Sequence, residues 1–199
     1  LRELQGADLC VELDASGQVC ISSGSANFKV PSGSVDEFPA VQFSTEAPSI
    51  QVNREDLIRN FQRVSVASAR DATRFNMHSV LLDCHENEIR IVGTDGKRMA
   101  MSVMPSEAGT NSGVPQGQFI IPLKAVDLLT RILTSETEEN VVFRLDQNEA
   151  TYISEFVSLS CRLVEGKFPE YERAVPQELE SVYRINSDEF LVALKQCSL

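Results

Sequence analysis

Ile50-Gln51-Val52-Asn53-Arg54-Glu55-Asp56-Leu57-Ile58 reads as a short strand, an Asn, two acidic residues and the start of an apolar helical stripe. The same order returns 133 positions later in Tyr183-Arg184-Ile185-Asn186-Ser187-Asp188-Glu189-Phe190-Leu191. An Asn ahead of acidic first-turn residues is a sound helix start. Its side chain accepts from free N–H groups, and the carboxylates face the positive end of the helix. A second pair lies at nearly the same offset: Phe28-Lys29-Val30 followed by Glu37-Phe38-Pro39-Ala40-Val41 is echoed by Cys161-Arg162-Leu163 followed by Lys167-Phe168-Pro169-Glu170-Tyr171. Two independent matches at one spacing define a repeat of about 130 residues, from near Ser49 to near Pro176. On this reading residues 1–45 end one unit, 46–176 form a complete one and 177–199 open a third. The chain is therefore expected to be a piece of a longer protein with at least three units. Gln42–Pro48 and Pro176–Ser181, where the pattern lapses around Pro and polar residues, read as linkers.

Inside the complete unit the patterns predict a helix from Asn53 to about Ala69, then strands over Val80–Asp83, Glu88–Gly93 and Arg98–Met104. The Gly-, Ser- and Pro-rich stretch Ser106–Asn111 with Gly113–Gln118 reads as a loop. A strand over Phe119–Ile121, a helix over Leu123–Leu133 introduced by Pro122, and strands over Val141–Leu145, Glu149–Ile153 and Val157–Leu163 complete it. The order is β-α-β-β-β twice. An α+β domain of two such halves should set both helices on one side of antiparallel sheet.

The 199 residues are 42% hydrophobic and 24% charged, enough apolar content for a buried core, and no apolar run approaches the roughly 18 residues of a membrane span. The residues from Leu1 to Gln5 lack the zones of a secretory signal, and the expected location is cytoplasmic. Five cysteines, none in a C-x-x-C pair, fit a reducing compartment and core packing. The net charge of −11 argues against a surface that grips nucleic acid everywhere, while leaving room for a local basic face.

Such a face is present. On the first helix Leu57, Phe61 and Val64 share one side, and Arg59, Arg63 and Arg70 cluster on the opposite one. The second helix repeats this with Val126, Leu129 and Leu133 against Lys124 and Arg131. A single basic helix is ordinary solubilising surface, and Glu55 can pair with Arg59 four residues on. Two equivalent basic helices in an acidic chain point instead to phosphate contact, independent of base sequence.

Gly93-Thr94-Asp95-Gly96-Lys97-Arg98-Met99-Ala100 stands out among the turns. Asp-Gly between alternating apolar runs signals a type I′ hairpin, and the spacing of a phosphate-binding loop is absent. His78 and His85 have no nucleophile or metal-ligand spacing around them, and no catalytic constellation can be assembled. A nucleotide-processing enzyme is thereby set aside. No cofactor or metal is expected.

Thr94-Asp95-Gly96-x-Arg98, taken with Gly166-Lys167-Phe168-Pro169-Glu170-Tyr171-x-Arg173 and the repeated strand-helix unit, resembles the bacterial DNA sliding clamps, the beta subunits of DNA polymerase III. The resemblance covers the end of a first clamp domain, a whole middle domain and the opening of a third. It implies a three-domain subunit that pairs head to tail into a ring around duplex DNA, with no catalytic activity of its own. It places Arg59, Arg63, Arg70, Lys124 and Arg131 toward the hole, with Arg74 and Phe75 on a loop near the DNA. It also implies a cleft for short Gln- and Leu-containing peptides from the polymerase catalytic subunit, the clamp loader and repair proteins. Carried over, that cleft comprises Met77, Thr94, Gly96, Lys97, Arg98 and Met99 with Pro169, Arg173 and Ala174 beside them. Lys97 stands where the family often has His, Met99 where Leu is common, Ala174 where a larger aliphatic is usual, and Asn76 where an aromatic is frequent. The family completes the cleft with the tail of its third domain and closes the ring with the rest of its first, so this chain by itself is expected to be a monomer. The alternative reading is a β-rich protein-interaction module that never contacts DNA.

Overall fold

A computed structural model describes residues 8–38, 43, 46–70, 77–105, 107–108, 115–176 and 181–198. The chain divides into two compact units, Leu1–Gln42 and Phe43–Leu199. The first is an antiparallel meander of β1 (Cys10–Leu13), β2 (Gln18–Ser23) and β3 (Ala26–Pro31). Its register aligns Val11, Ile21 and Phe28 in one cross-strand row and Leu13, Val19 and Val30 in another, so one face is apolar. The other face carries Glu12, Cys20 and Lys29 in one row.

The second unit runs β4 (Ser49–Asn53), α1 (Arg54–Ser65), β5 (Ser79–Cys84), β6 (Glu88–Thr94), β7 (Met99–Pro105), β8 (Glu107–Ala108), β9 (Gly117–Pro122), α2 (Leu123–Ser135), β10 (Asn140–Leu145), β11 (Glu149–Ile153), β12 (Ser158–Arg162) and α3 (Ser187–Cys197). The β-α-β-β-β order of each half is present. The halves are not separate, however, and there are two sheets rather than one: β12-β11-β10-β4-β8 and β7-β6-β5-β9. Each half's leading strand crosses to the other half's sheet. β4 pairs with β10, Ile50 opposite Phe143, and β9 pairs with β5, Ile121 opposite Val80. This exchange ties the halves into one core. Leu57, Phe61 and Val64 of α1 and Val126, Leu129 and Leu133 of α2 are buried in it against strands of both sheets.

The repeat is visible down to its hydrogen bonds. Asn53 Oδ1 accepts from the N–H groups of Glu55 and Asp56, and Asn186 Oδ1 accepts from those of Asp188 and Glu189. Unlike α1, α3 has no buried residue in this chain. Three sequence expectations need correction. The first helix stops at Ser65 rather than Ala69: Ala67 and Ser68 are still buried, but in a turn, and the Ala69 N–H turns to the Met77 carbonyl at 2.9 Å. The long loop contains β8, which pairs with β4, and Gly117 and Gln118 already belong to β9. Finally, α2 runs on to Ser135. There the Arg54 guanidinium donates to the Leu133 and Glu138 carbonyls at 3.1 and 2.8 Å, tying the start of α1 to the end of α2 and the segment after it.

Candidate docking depression and basic helix face

β6 and β7 form a hairpin with Thr94 opposite Met99. Gly96 has a φ of 84°, but no described non-glycine residue has positive φ, so the type I′ turn, which needs two such residues in succession, is not formed. Side chains close the turn instead. Asp95 Oδ1 accepts from the N–H groups of Lys97 and Arg98 at 2.9 and 3.0 Å, and its Oδ2 accepts from Arg98 Nε at 3.0 Å. These donors, the two backbone groups first, hold the Asp95 carboxyl below its ordinary range. Thr94 Oγ1 donates to the Arg98 carbonyl at 2.7 Å and accepts from the Gly96 N–H at 3.1 Å. The preceding Gly93 has a different role. A Cβ there would lie 2.4 Å from the Val64 carbonyl oxygen and 2.7 Å from Ser68 Oγ, so Gly93 lets β6 approach the end of α1.

Facing the hairpin is the turn Tyr171–Ala174. The chain reaches it after the Val164 N–H donates to the Ile120 carbonyl at 2.8 Å. Phe168 and Tyr171 are then buried in a small cluster with Leu81, Val92 and Ile120, partly covered by Met99 and Val164. The Tyr171 hydroxyl donates to Asp83 Oδ2 at 2.6 Å. Burial, and after it this hydrogen bond to a carboxylate, push the Tyr171 phenol up to about 12. The F-P-x-Y motif thus pins the turn to the sheet.

Between the two walls lies a depression of about 470 Å³. Met99, Pro169, Ala174 and the Tyr171 ring supply apolar surface, while Thr94, Gly96, Lys97, Arg98 and Glu170 supply polar edge. It therefore brings together Thr94, Gly96, Lys97, Arg98, Met99, Pro169 and Ala174 from segments about 70 residues apart in sequence, a mostly apolar hollow with a few convergent polar groups. Met77 and Arg173 are not among its lining residues. The Met77 carbonyl serves the end of α1, and Arg173 Nε is held to Glu170 Oε2 at 2.7 Å beside a neighbouring depression. Sequence reasoning missed Glu170 and Tyr171. The Tyr of F-P-x-Y was the available signal, since a Tyr held between apolar residues needs both a buried ring and a hydroxyl partner.

The basic residues divide unevenly. Arg59, Arg63, Arg70, Lys124 and Arg131 are all exposed. Arg59 is paired with Asp56 at 3.0 Å, not with Glu55 as the sequence suggested. Among the described residues no salt bridge is found for Arg63, Arg70, Lys124 or Arg131. Arg70 and Arg131 line one groove of about 620 Å³ between the end of α1 and α2, with Gln62, Thr130 and one acid, Asp127. His78 lies in the same groove with Nδ1 2.7 Å from the Ala69 carbonyl, a structural contact at the end of α1. Arg74 and Phe75 lie outside the described residues.

Residues 51–170 match the sequence family described as DNA polymerase III beta subunit, central domain. The chain belongs to the DNA polymerase III beta subunit family. The beta sliding clamp of Chlamydia muridarum is 30% identical to it over 204 aligned residues, which take in 100% of this chain and 53% of the relative. That of Pseudomonas putida is 28% identical over 85% of this chain and 46% of its own length. The chain thus spans about half the length of these curated relatives. The DNA polymerase III beta subunit of Thermotoga maritima superposes with a TM-score of 0.74 at 26% identity, over 88% of this chain and 46% of that one. The DNA polymerase sliding clamp of Bacillus subtilis reaches 0.84 at 23% identity over 100% and 51%, a likeness of fold. The α+β architecture with its two exchanged halves is the clamp fold of this family.

Proposed function

We propose that this chain is the central part of a sliding clamp, a non-catalytic processivity factor that surrounds duplex DNA and holds partner proteins to it. The single observation that carries the reading is the docking depression, in which the T-D-G-x-R hairpin and the F-P-x-Y turn meet from distant parts of the chain. Its apolar floor and donor-bearing rim suit short linear peptides of the polymerase catalytic subunit, the clamp loader and repair proteins. Met99 offers an adaptable wall for a Leu or Phe side chain.

The groove between α1 and α2 is the DNA side of the same reading. Arg63, Arg70, Lys124 and Arg131, without a salt bridge among the described residues, would contact phosphates without reading bases, which lets a tether slide, with Arg74 and Phe75 on a loop near the DNA. Residues 1–45, 46–176 and 177–199 are read as the end of a first, a whole second and the opening of a third clamp domain, and the whole protein as a cytoplasmic head-to-tail homodimer ring. Among the described residues no helix is long and apolar enough to cross a membrane.

The test is charge reversal in the full-length protein. Arg63→Glu combined with Arg131→Glu should shorten the length copied per polymerase binding event and make what remains less sensitive to salt, because fewer phosphates are neutralised. Unchanged processivity would favour the other reading, a protein-interaction module that never meets DNA, for which the charge of −11 speaks.

A further inference from the structure

We propose that Asp83 is a positioning residue for the docking depression: it touches no docked peptide but holds the wall on which the peptide packs, an inference that rests on the depression being a peptide site. Asp83 is on β5, only 5% exposed, and does not line the depression. Its Oδ2 accepts from the Tyr171 hydroxyl at 2.6 Å and from Gln118 Nε2 at 3.2 Å, and its Oδ1 lies 3.5 Å from His85 Nε2. Tyr171 begins the turn that supplies Tyr171 and Ala174 to the depression. The Asp83–Tyr171 bond is therefore a buried polar link between sheet and wall.

Arg90 also reaches the turn, at Tyr171 and Glu172, and its ion pair there is weaker. Arg90 on β6 donates to Glu172 Oε1 at 2.9 Å, but the two side chains are 31% and 68% exposed, and pairs so open to water contribute little. A buried hydroxyl without an acceptor is costly, and a hydrogen bond to a charged acceptor is among the stronger ones. Removing the Asp83 carboxylate leaves the Tyr171 hydroxyl proton without its acceptor, since the neighbouring Arg90 guanidinium can only donate to it. The turn must then lift, and Ala174 and Glu170 move with it away from Met99.

The experiment compares peptide affinity with local opening in the full-length protein. A labelled Gln-Leu-Ala-Leu-Phe peptide is titrated by fluorescence anisotropy against the unaltered chain and against Asp83→Ala, Asp83→Asn, Tyr171→Phe and Met99→Lys. Amide exchange at Arg173 and Val175, whose N–H groups close the turn, is followed without peptide. Asp83→Ala and Tyr171→Phe should each weaken binding about tenfold and speed that exchange, whereas Asp83→Asn, which keeps an acceptor, should stay within about twofold of the unaltered chain. Met99→Lys should lose binding with exchange at the turn unchanged. Tyr171→Phe keeps the buried ring, so it reads the same bond without emptying the Asp83 site. Binding that Met99→Lys abolishes but Asp83→Ala and Tyr171→Phe leave intact overturns this inference alone. An unaltered chain that binds no better than Met99→Lys overturns the docking reading and this inference with it.

Discussion

Gly93→Ala puts the packing of the second unit under the most direct stress. The added Cβ would meet the Val64 carbonyl oxygen at 2.4 Å, where ordinary contact begins at 3.4 Å, so β6 and α1 must separate by about 1 Å. Ser68 Oγ, at 2.7 Å, gives no easier route, because it is committed to the Ser79 carbonyl at 2.9 Å inside the core. The Val64 carbonyl also accepts from the Ala67 N–H, and Phe61 and Val64 are fully buried, so α1 cannot move alone. Overpacking of this kind costs about 1–3 kcal/mol, against a gain of about 0.4–1 kcal/mol from a less flexible unfolded chain. The rigid backbone partner puts the cost at the upper end, for a net loss of about 2 kcal/mol, or about 4–8 °C in Tm for a chain of this size. Urea unfolding followed by circular dichroism reads it as a lower midpoint at unchanged slope. Gly96→Ala is the comparison: its strain is that of a positive φ at an exposed turn, about 1–2 kcal/mol. A Gly93→Ala midpoint indistinguishable from the unaltered chain would refute the close approach of β6 to α1.

Two further outcomes follow from the same structure. Arg54→Met keeps the aliphatic stem but removes the donors to the Leu133 and Glu138 carbonyls, and should lower stability by about 1–2 kcal/mol in the same urea assay, an effect that Arg59→Met on the exposed face should not show. Between about pH 10 and 12 the unfolded chain gives up the Tyr171 proton before the folded chain does, so stability is full below that window and falls as pH rises through it. Unfolding midpoints measured across this range should fall less steeply for Tyr171→Phe than for the unaltered chain.

What the sequence disclosed follows the reach of each signal. The start of α1 was legible because Asn53, Glu55, Asp56 and the Leu57–Phe61–Val64 stripe are all local, and its recurrence at Asn186 disclosed the repeat. The end of α1 was not: Ala67 and Ser68 continue the buried pattern in a turn, and what ends the helix is a backbone bond to Met77 across residues that periodicity does not link. The exchange of β4 and β9 was likewise hidden, since a period of two fixes which face of a strand is buried but not which strand lies beside it. In the docking depression the hairpin residues from Thr94 to Met99 were legible as one motif. Tyr171 was overlooked because its role depends on Asp83, 88 positions away, and Arg173, assigned to the depression, lies beside a neighbouring one, paired with Glu170.

The most direct test of the docking reading is a backbone-amide NMR titration of the full-length protein with a Gln-Leu-x-Leu-Phe peptide, repeated on Met99→Lys. Shifts concentrated at Thr94–Met99 and Pro169–Ala174, and lost in the variant, are the predicted result. Shifts centred on other residues, or a spectrum that the peptide leaves unchanged, would contradict it.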